Sequence, residues 1–316
     1  MTATLDATAS VPTAVLSISP VVLPTADRAV DLQLRISTPV SGTDLPIILL
    51  SHGQGPSNNL SSLNGYGPLV NDWAARGFVV IQPTHLSSRT LQLDTEDPDA
   101  PLYARSRALD MSRIIDRLDE IEAAVPHLRG RLDHSRVAAV GHSMGGHTVS
   151  LLLGARVTDP DDGHEVDLRE SRISAGVLLA SPGRGGEVLS EFAASFPFFA
   201  SIDFSPMTTP ALVVAGDQDD SPHLTVAGPG WHADPYVLAP GPKSLLTVFG
   251  AGHGLGGVSG YDVAETTDEN PQRVSDVARL TAAYLRSRLY PADTGWQQEK
   301  DALAASDEPM GRVDEK

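Results

Sequence analysis

A run of small apolar residues at 137–140 leads directly into the pentapeptide GHSMG at 141–145. The apolar segment TVSLLL follows at 148–153, so the pattern predicts a strand that turns sharply into a helix. Glycines lie two residues before and two residues after Ser143, where larger side chains would collide with the neighbouring strand and helix. Such a turn holds the serine in a strained backbone conformation, with its hydroxyl exposed at the apex.

Similar apolar runs alternate with helical patterns along most of the chain. Continuous apolar runs of the kind buried in parallel sheets lie at 45–50, 78–81, 173–179, 211–215 and 245–249. Helices are predicted at 66–76, at 108–121, and from Asn270-Pro271 onward, where an N-cap residue precedes proline. Two earlier segments, 15–18 and 30–36, are predicted as antiparallel strands. The alternation predicts an α/β fold with a mostly parallel central sheet and helices on both faces.

The chain has 316 residues, which suits a single domain that we place at 15–290. A flexible N terminus is expected at 1–14 and a polar, frayed tail at 291–316. Segments 84–106 and 182–206 are candidate lid or pocket segments. The second contains five of the chain's seven phenylalanines, which fits an apolar pocket wall and a packing flap over the core equally well.

Composition excludes several classes of function. The formal net charge of −17 argues against a nucleic-acid partner, which requires a basic surface. With no cysteine, the chain has no disulfide, no thiolate nucleophile and no cysteine-ligated zinc. The acidic loop at 158–172 lacks EF-hand spacing and no cofactor motif is present, so we expect neither a bound metal nor a cofactor.

The chain also lacks the marks of a membrane or secreted protein. No apolar stretch approaches the ~18 residues of a membrane span. The first residues lack a basic segment followed by a long apolar one, so no leader is expected. These features predict a cytoplasmic protein with no membrane span, and they leave the oligomeric state open.

A serine hydroxyl needs a neighbouring base to act as a nucleophile, and histidine is the usual base because it titrates near neutral pH. His253 follows the last predicted strand in the glycine-rich segment FGAGHG at 249–254. Such a loop can bring the imidazole over Ser143, so His253 is the predicted base. His232, in the segment WHAD, is the main rival or a second pocket residue.

The base in turn needs a carboxylate that holds its tautomer and stabilises the imidazolium. The strand predicted at 211–215 leads into GDQDD at 216–220, at the sheet edge where such folds place functional residues. Asp219 is the favoured acid, Asp217 the alternative and Asp220 a third candidate, and sequence spacing does not separate them. All three also fit ordinary turn chemistry.

Negative charge that develops on a carbonyl oxygen is stabilised by backbone N–H groups aimed at it. One predicted donor is the amide of Met144, directly after Ser143. The other is expected in the loop after the strand at 45–50, which contains HGQG at 52–55. We assign it to Gln54, with Gly53 as the alternative.

Six further side chains are predicted to contact the substrate. His85 follows the strand at 78–81 and His142 directly precedes Ser143. The other four are aromatic or imidazole groups in the second half of the chain. The predicted substrate-binding residues are His85, His142, Phe198, Phe199, Trp231 and His232.

Over about residues 15–290 the chain resembles the α/β-hydrolase superfamily. The resemblance rests on HGQG at 52–55, GHSMG at 141–145, GDQD at 216–219 and GH at 252–253. The segment GHSMGG looks like that of the chlorophyllase, dienelactone-hydrolase and platelet-activating-factor-acetylhydrolase group, which includes cutinase-like polyester hydrolases. The resemblance implies an α/β-hydrolase fold. It also implies Asp219 as the acid, because the acid of those relatives usually ends a Gly-x-x-Asp string.

Together these features predict a serine hydrolase that cleaves a small-molecule carboxylic ester through Ser143, His253 and Asp219, with an acyl-enzyme intermediate. An amidase, a thioesterase or an acyltransferase would use the same three residues and is the alternative. A non-catalytic ligand-binding protein of the same fold is a third hypothesis, which the complete set of residues disfavours.

Overall fold

The computed structural model describes residues 13–93, 100–160, 162–261 and 263–316. Residues 1–12 of the predicted flexible N terminus, and residues 94–99 of the candidate lid at 84–106, lie outside the described residues. Within the described ranges, no helix combines the length and the apolar character needed to cross a membrane.

A nine-stranded, mostly parallel sheet forms the centre of the described structure. The strands of the described residues are β1 Val15–Leu23, β2 Leu32–Pro39, β3 Leu45–Ser51, β4 Val79–Pro83, β5 Leu132–His142, β6 Arg156–Thr158, β7 Glu165–Asp167, β8 Ile173–Leu179, β9 Ala211–Gly216, β10 Lys243–Val248 and β11 Gly311–Glu315. The sheet order is β1-β2-β4-β3-β5-β8-β9-β10-β11, and β6 and β7 form a separate hairpin. Pairing is parallel from β4 to β10 and antiparallel at both edges. The predicted α/β class with a mostly parallel sheet is confirmed.

Helices cover both faces of this sheet. Those of the described residues are α1 Gly67–Ala75, α2 Ala104–Asp116, α3 Leu118–Ala124, α4 Met144–Leu152, α5 Glu191–Ala194, α6 Pro197–Ala200, α7 Asp234–Leu238, α8 Pro271–Leu289 and α9 Gly295–Ala304, with 3-10 turns at Arg89–Leu91, Pro126–Leu128, Gly186–Val188 and Pro229–Ala233. Ile47 and Leu49 of β3 belong to the core shared with α2, α3 and α4, whereas Ile48 and Leu50 belong to the core shared with α1, α8 and α9. Successive strand residues point to opposite faces, so a strand covered on both sides is apolar throughout.

Three segments differ from the sequence predictions. The helix predicted at 108–121 is divided at Arg117 into α2 and α3. The acidic loop at 158–172 contributes to the β6–β7 hairpin, in which Arg156 forms an ion pair with Glu165. The predicted frayed tail at 291–316 instead contains α9 and β11.

The C-terminal segment is part of the packed domain. β11 adds an antiparallel edge strand to β10, with Val313 opposite Leu246. Trp296 and Leu303 of α9, seven residues apart on one helix face, are both buried. Trp296 Nε1–H donates to Glu315 Oε1 at 3.0 Å, which joins α9 to β11. The polar composition of this segment concealed a short apolar stripe that is sufficient to dock it.

The predicted functional residues lie in loops at the carboxyl ends of four parallel strands. Ser51 of β3 lies opposite Gly141 of β5, and Gly216 of β9 lies opposite Val248 of β10. Because the strands are parallel, their carboxyl ends meet at the same edge. The loops that follow them carry Gln54, Ser143, Asp219 and His253.

Candidate active site

Ser143 lies at the apex of the turn between β5 and α4. Its backbone has φ 53° and ψ −120°, a conformation that costs a non-glycine residue about 1–3 kcal/mol. The Ser143 N–H donates to the Leu179 carbonyl oxygen of β8 at 2.9 Å, which helps to hold this conformation. Close approach requires the two glycines, since a Cβ on Gly141 would overlap the Gly145 carbonyl and a Cβ on Gly145 would overlap the Ser51 carbonyl.

Ser143, His253 and Asp219 form one line of hydrogen bonds. Ser143 Oγ lies 2.8 Å from His253 Nε2, and His253 Nδ1 lies 2.8 Å from Asp219 Oδ2. A carboxylate only accepts, so His253 carries its proton on Nδ1 and presents the Nε2 lone pair to the serine hydroxyl. The imidazole is 28% exposed while Asp219 is buried. In this arrangement a histidine can remove the proton of a serine that a substrate reaches.

Of the three acidic candidates after β9, all within the described residues, Asp219 is the one that contacts His253. Asp217 Oδ1 instead accepts the Gly250 amide at 2.7 Å and so fixes the start of the loop that carries His253. Asp220 is exposed. The geometry therefore selects among the alternatives that sequence spacing left open.

Three polar side chains surround the carboxylate of Asp219. Oδ1 accepts the Ser221 hydroxyl at 2.6 Å, while Oδ2 accepts from His253 and lies 3.2 Å from His232 Nε2. Burial alone would raise the pKa of Asp219, but the contacts with His232 and His253 outweigh it and hold this pKa well below its usual range. The carboxylate is therefore ionised at neutral pH.

His232, the rival base, contacts the acid rather than the serine. Its ring is fully buried, Nδ1 lies 2.9 Å from the Ser181 carbonyl oxygen, and the Nε2 contact with Asp219 lacks the direction of a hydrogen bond. Asp219, His232 and His253 are also the one group of described residues with donor atoms placed to hold a metal ion, all within 4.8 Å of one another. His253 is hydrogen-bonded to both Asp219 and Ser143, an arrangement that can transfer a proton.

Both predicted oxyanion donors line the cavity that contains Ser143. Met144 is the first residue of α4, where an amide has no helical carbonyl partner. In the loop after β3, the Gly53 amide donates to Tyr66 Oη at 2.8 Å, which leaves the Gln54 amide as the available donor. The alternative assignment to Gly53 is therefore disfavoured.

A fully buried guanidinium contacts both segments that carry the predicted oxyanion donors. Arg107 of α2 donates from Nη2 to the His52 carbonyl oxygen, beside the loop that carries Gln54. It also donates from Nε to Thr148 Oγ1 at 3.0 Å, and Thr148 donates in turn to the Met144 carbonyl oxygen at 3.1 Å. Burial lowers the pKa of Arg107 to about 9, so the group is still a cation at neutral pH. Its hydrogen-bond acceptors within the described residues are all neutral.

A second buried charge lies one turn along α2. Asp110 accepts Arg28 Nε–H at 3.0 Å and lies 3.0 Å from His85 Nδ1. His85 Nε2 in turn lies 3.0 Å from Ser51 Oγ at the end of β3. Burial raises the pKa of Asp110 to about 6, opposed by the charge and hydrogen bond of Arg28. Burial also lowers the pKa of His85 well below its usual value, so this histidine is a neutral link between Asp110 and β3.

A cavity of about 520 Å³ opens onto Ser143 and His253. Its wall is mainly apolar and includes three phenylalanines from the candidate pocket segment at 182–206, namely Phe192, Phe196 and Phe199. Phe204 of the same segment is buried in the core instead. The aromatic segment thus contributes both a pocket wall and core packing.

Of the six predicted substrate-binding residues, Phe199 lines this cavity in the described structure. The five that do not line it are His85, His142, Phe198, Trp231 and His232. Four of them are buried, and Phe198 packs against the core. The sequence positions of these residues therefore did not determine which way their side chains point.

Sequence reasoning missed the residues that support the site from within the core. Arg107 and Asp110 lie on the apolar face of α2, since Arg107 precedes Met111 by four residues and Ile114 by seven. Charged residues are rarely fully buried without a partner. A charge on an apolar helix face is the signal that identifies them.

No protein-family model matches the chain, and no curated protein matches it either. The functional interpretation is therefore based on the geometry of the site. Its main elements are the strained serine, the line of hydrogen bonds to Asp219 and the cavity above them.

Proposed function

We propose that the protein is a serine hydrolase that cleaves carboxylic esters through an acyl-enzyme intermediate. The observation that carries this proposal is the unbroken line from Ser143 Oγ through His253 to Asp219, with 2.8 Å at each step. The three residues follow parallel strands in the chain order Ser, Asp, His, which is the order of α/β-hydrolases, and we propose that fold as well. The strained backbone of Ser143 supports its role as the nucleophile.

In this mechanism His253 Nε2 takes the hydroxyl proton as Ser143 Oγ bonds to the ester carbonyl carbon. The carbonyl π electrons move onto oxygen, and the amides of Gln54 and Met144 donate to that oxyanion. When the tetrahedral intermediate collapses, the C–O bond to the alcohol breaks and His253 gives its proton to the departing oxygen. Water, deprotonated by His253, then attacks the acyl carbon. The bond from that carbon to Ser143 Oγ breaks, and His253 returns its proton to Oγ as the carboxylic acid leaves.

Asp219 acts electrostatically in this scheme. Because its pKa is held well below the usual range, it stays ionised and does not take the proton from His253. It fixes the tautomer of His253 and stabilises the imidazolium that forms during attack. Ser221 Oγ–H, at 2.6 Å from Oδ1, holds the carboxylate in the orientation that this contact needs.

The cavity favours an ester with an apolar acyl or alcohol group. Its aromatic wall is braced by edge-to-face contacts, with ring centroids 5.1 Å apart for Phe192 and Phe196 and 6.1 Å apart for Phe196 and Phe199. A volume of about 520 Å³ falls within the ~300–1,000 Å³ range of small-molecule pockets. We therefore propose a small-molecule ester as the substrate.

Covalent labelling of Ser143 is the first test. Wild-type protein is treated with a fluorophosphonate and examined by intact-protein mass spectrometry beside Ser143→Ala and Ser150→Ala. Ser150 is the matched control because it is a buried serine of α4 whose hydroxyl donates to the Gly146 carbonyl oxygen. We expect one adduct on the wild type and on Ser150→Ala, and none on Ser143→Ala. Absence of an adduct on folded wild-type protein would contradict the proposal and favour non-catalytic ligand binding.

Matched ester, amide and thioester substrates separate the alternatives that use the same three residues. We expect the ester to have the highest kcat/KM, and a series of p-nitrophenyl esters from acetate to long chains to measure the length that the cavity accepts. A higher kcat/KM for the amide or the thioester would assign the protein to that class instead. Transfer of the acyl group to an added alcohol in preference to water would indicate an acyltransferase.

A further inference from the structure

Three hydrogen bonds connect the loop that carries Gln54 to the loop that carries His253. The Gly53 amide donates to Tyr66 Oη at 2.8 Å. Tyr66 Oη lies 3.0 Å from His142 Nδ1, and His142 Nε2 lies 2.9 Å from the His253 carbonyl oxygen. His142 directly precedes Ser143, so the connection passes through the turn between β5 and α4.

The chemistry of the two ends fixes the direction of every bond in this connection. An amide N–H only donates, so Tyr66 Oη accepts from Gly53 and directs its own hydrogen to His142 Nδ1. A carbonyl oxygen only accepts, so His142 carries its proton on Nε2 and donates it to His253. Both ends therefore require the same neutral tautomer of His142.

Burial of the two side chains keeps them in this state. Tyr66 is fully buried and His142 is 2% exposed, so water does not compete for their hydrogen bonds. Burial lowers the pKa of His142 to about 3 and raises the pKa of the Tyr66 hydroxyl above its usual value. Both groups are neutral over the whole pH range in which an ester hydrolase works. The three hydrogen bonds are therefore unchanged across this range.

The backbone of Tyr66 indicates that its side chain is required at this position. Tyr66 has φ 63°, in the left-handed region that bulky side chains rarely adopt, directly before α1. Its amide donates to the Ser259 carbonyl oxygen at 2.9 Å, which helps hold the strained conformation. Glycine or asparagine would fit this backbone with less strain, but neither carries a hydroxyl that could reach both Gly53 and His142.

We propose that Tyr66 and His142 are positioning residues that set the distance between the oxyanion donor Gln54 and the base His253. The inference depends on the proposed hydrolase function, because it assigns the connection a role in the reaction. Gly53 and Gln54 are consecutive in the chain, and the other end of the connection is the main chain of His253 itself. Oxyanion stabilisation and proton transfer act on the same carbonyl group, so a small change in this distance lowers the rate of the chemical step.

Tyr66→Phe tests the proposal with little change in packing. Phenylalanine removes the acceptor of the Gly53 amide and the donor to His142 but keeps the ring. We expect kcat to fall about tenfold with KM within about twofold of wild type, and the rate of fluorophosphonate labelling to fall with kcat. Tyr284→Phe is the matched control, since Tyr284 is an equally buried tyrosine of α8 that packs on Trp296, with ring centroids 5.4 Å apart. We expect its kcat to be unchanged.

A second variant shows whether the three bonds act as one unit. His142→Leu interrupts the same connection one step further along. We therefore expect the double variant with Tyr66→Phe to lose no more kcat than the more impaired of the two single variants. Losses that multiply would overturn the proposal. A kcat for Tyr66→Phe within twofold of that for Tyr284→Phe would also overturn it. So would a rise in KM together with a fall in thermal midpoint that accounts for the whole loss of activity.

The tautomer of His142 provides a readout that does not depend on activity. In ¹⁵N–¹H spectra of wild-type protein we expect the His142 proton on Nε2, and a proton on Nδ1 would overturn the proposal. If wild-type protein neither hydrolyses esters nor reacts with the fluorophosphonate, the proposed function fails whatever the tautomer is. If the enzyme is active and Tyr66→Phe has no effect, the positioning role alone fails.

Discussion

The two sides of Ser143 are built in different ways. On the base side, His253 and Asp219 come from loops that follow parallel strands, and their side chains contact the serine and each other directly. On the oxyanion side, the proposed donors are backbone amides, whose positions depend on buried side chains such as Arg107 and Tyr66. The chemistry of a side chain is set by its residue type, whereas the position of a backbone donor depends on the residues packed around it.

The buried carboxylates of the two sides differ in the same way. Contacts with His232 and His253 keep the pKa of Asp219 well below its usual range, so its negative charge is favoured. Burial raises the pKa of Asp110 to about 6 despite its contact with Arg28, so ionisation of Asp110 costs free energy in the folded protein. Asp219 holds a charge that the proposed reaction would use, whereas the charge of Asp110 fixes structure.

Removal of the base should cause the largest effect. His253→Ala leaves the serine without a proton acceptor, so we expect kcat on a p-nitrophenyl ester to fall about 10⁶-fold. His164→Ala, at an exposed position in the β6–β7 loop, is the control and should match wild type. If His232→Ala lost activity on that scale and His253→Ala did not, the base side would have to be reassigned.

Replacement of the acid should have the next largest effect. Asp219→Asn keeps the shape but favours the wrong tautomer of His253, so we expect kcat to fall about 10⁴-fold. Asp217→Asn is the matched control, because an asparagine oxygen can still accept the Gly250 amide. Steady-state kinetics should place this control within about threefold of wild type, and an equal loss in both variants would contradict the assignment of Asp219.

On the oxyanion side, changes at Arg107 should have a smaller effect. Arg107→Met removes the donors to His52 and Thr148, and we expect kcat to fall about 100-fold, the loss typical of one oxyanion donor. A buried arginine also supports folding, so Thr148→Val and Ser87→Ala are compared in parallel. Each deletes one acceptor of Arg107, but Thr148 also contacts the Met144 carbonyl and Ser87 does not join the oxyanion elements through any described hydrogen bond.

We expect Thr148→Val to lower kcat about tenfold and Ser87→Ala to lower it less than threefold, at similar thermal midpoints. Equal losses would show that Arg107 acts only through stability. Retention of kcat in Arg107→Met would remove its role on the oxyanion side altogether.

The smallest expected effect is a pH dependence of stability that has opposite signs on the two sides. The folded pKa of Asp110, about 6, exceeds the ~3.9 of an unfolded aspartate, so the folded protein binds the extra proton between these values. The unfolding free energy of wild type relative to Asp110→Asn should therefore rise by about 2 kcal/mol as pH falls from about 7.5 to about 4.5.

For Asp219 the folded pKa is depressed, so its stabilisation is complete above about pH 5 and is lost as pH falls below about 4. The difference between wild type and Asp219→Asn should shrink in acid. Urea unfolding at several pH values measures both differences, and the same sign for both would contradict the contrast between the two carboxylates.

Much of the base side could be predicted from the sequence because each group follows an apolar strand. Continuous apolar runs gave the parallel strands, and the glycine pattern around Ser143 gave the strained turn. The choice between Asp219 and Asp217 required coordinates, because two residues of a turn separate one acid that meets His253 from another that binds the Gly250 amide.

The oxyanion side was less accessible to prediction. Arg107 lies on an apolar helix face, and its partners are carbonyl and hydroxyl groups that leave no motif in the sequence. The sequence predicts Tyr66 as an ordinary first residue of a helix. Its backbone is instead in the left-handed region, and its hydroxyl contacts both Gly53 and His142. The direction of His85 and His142 depends on the same three-dimensional packing, so proximity to a motif did not reveal it.

The strand β11 has a consequence for how the protein behaves in concentrated solution. It covers the outer side of β10, and the Lys243 and Lys316 backbones exchange two hydrogen bonds at 3.0 Å. Without β11, β10 would present a row of unpaired N–H and C=O groups beside the apolar side chains of Leu245 and Leu246. Exposed edges of this kind template pairing with other chains. By pairing with β10, β11 protects this side of the sheet from such pairing with other chains.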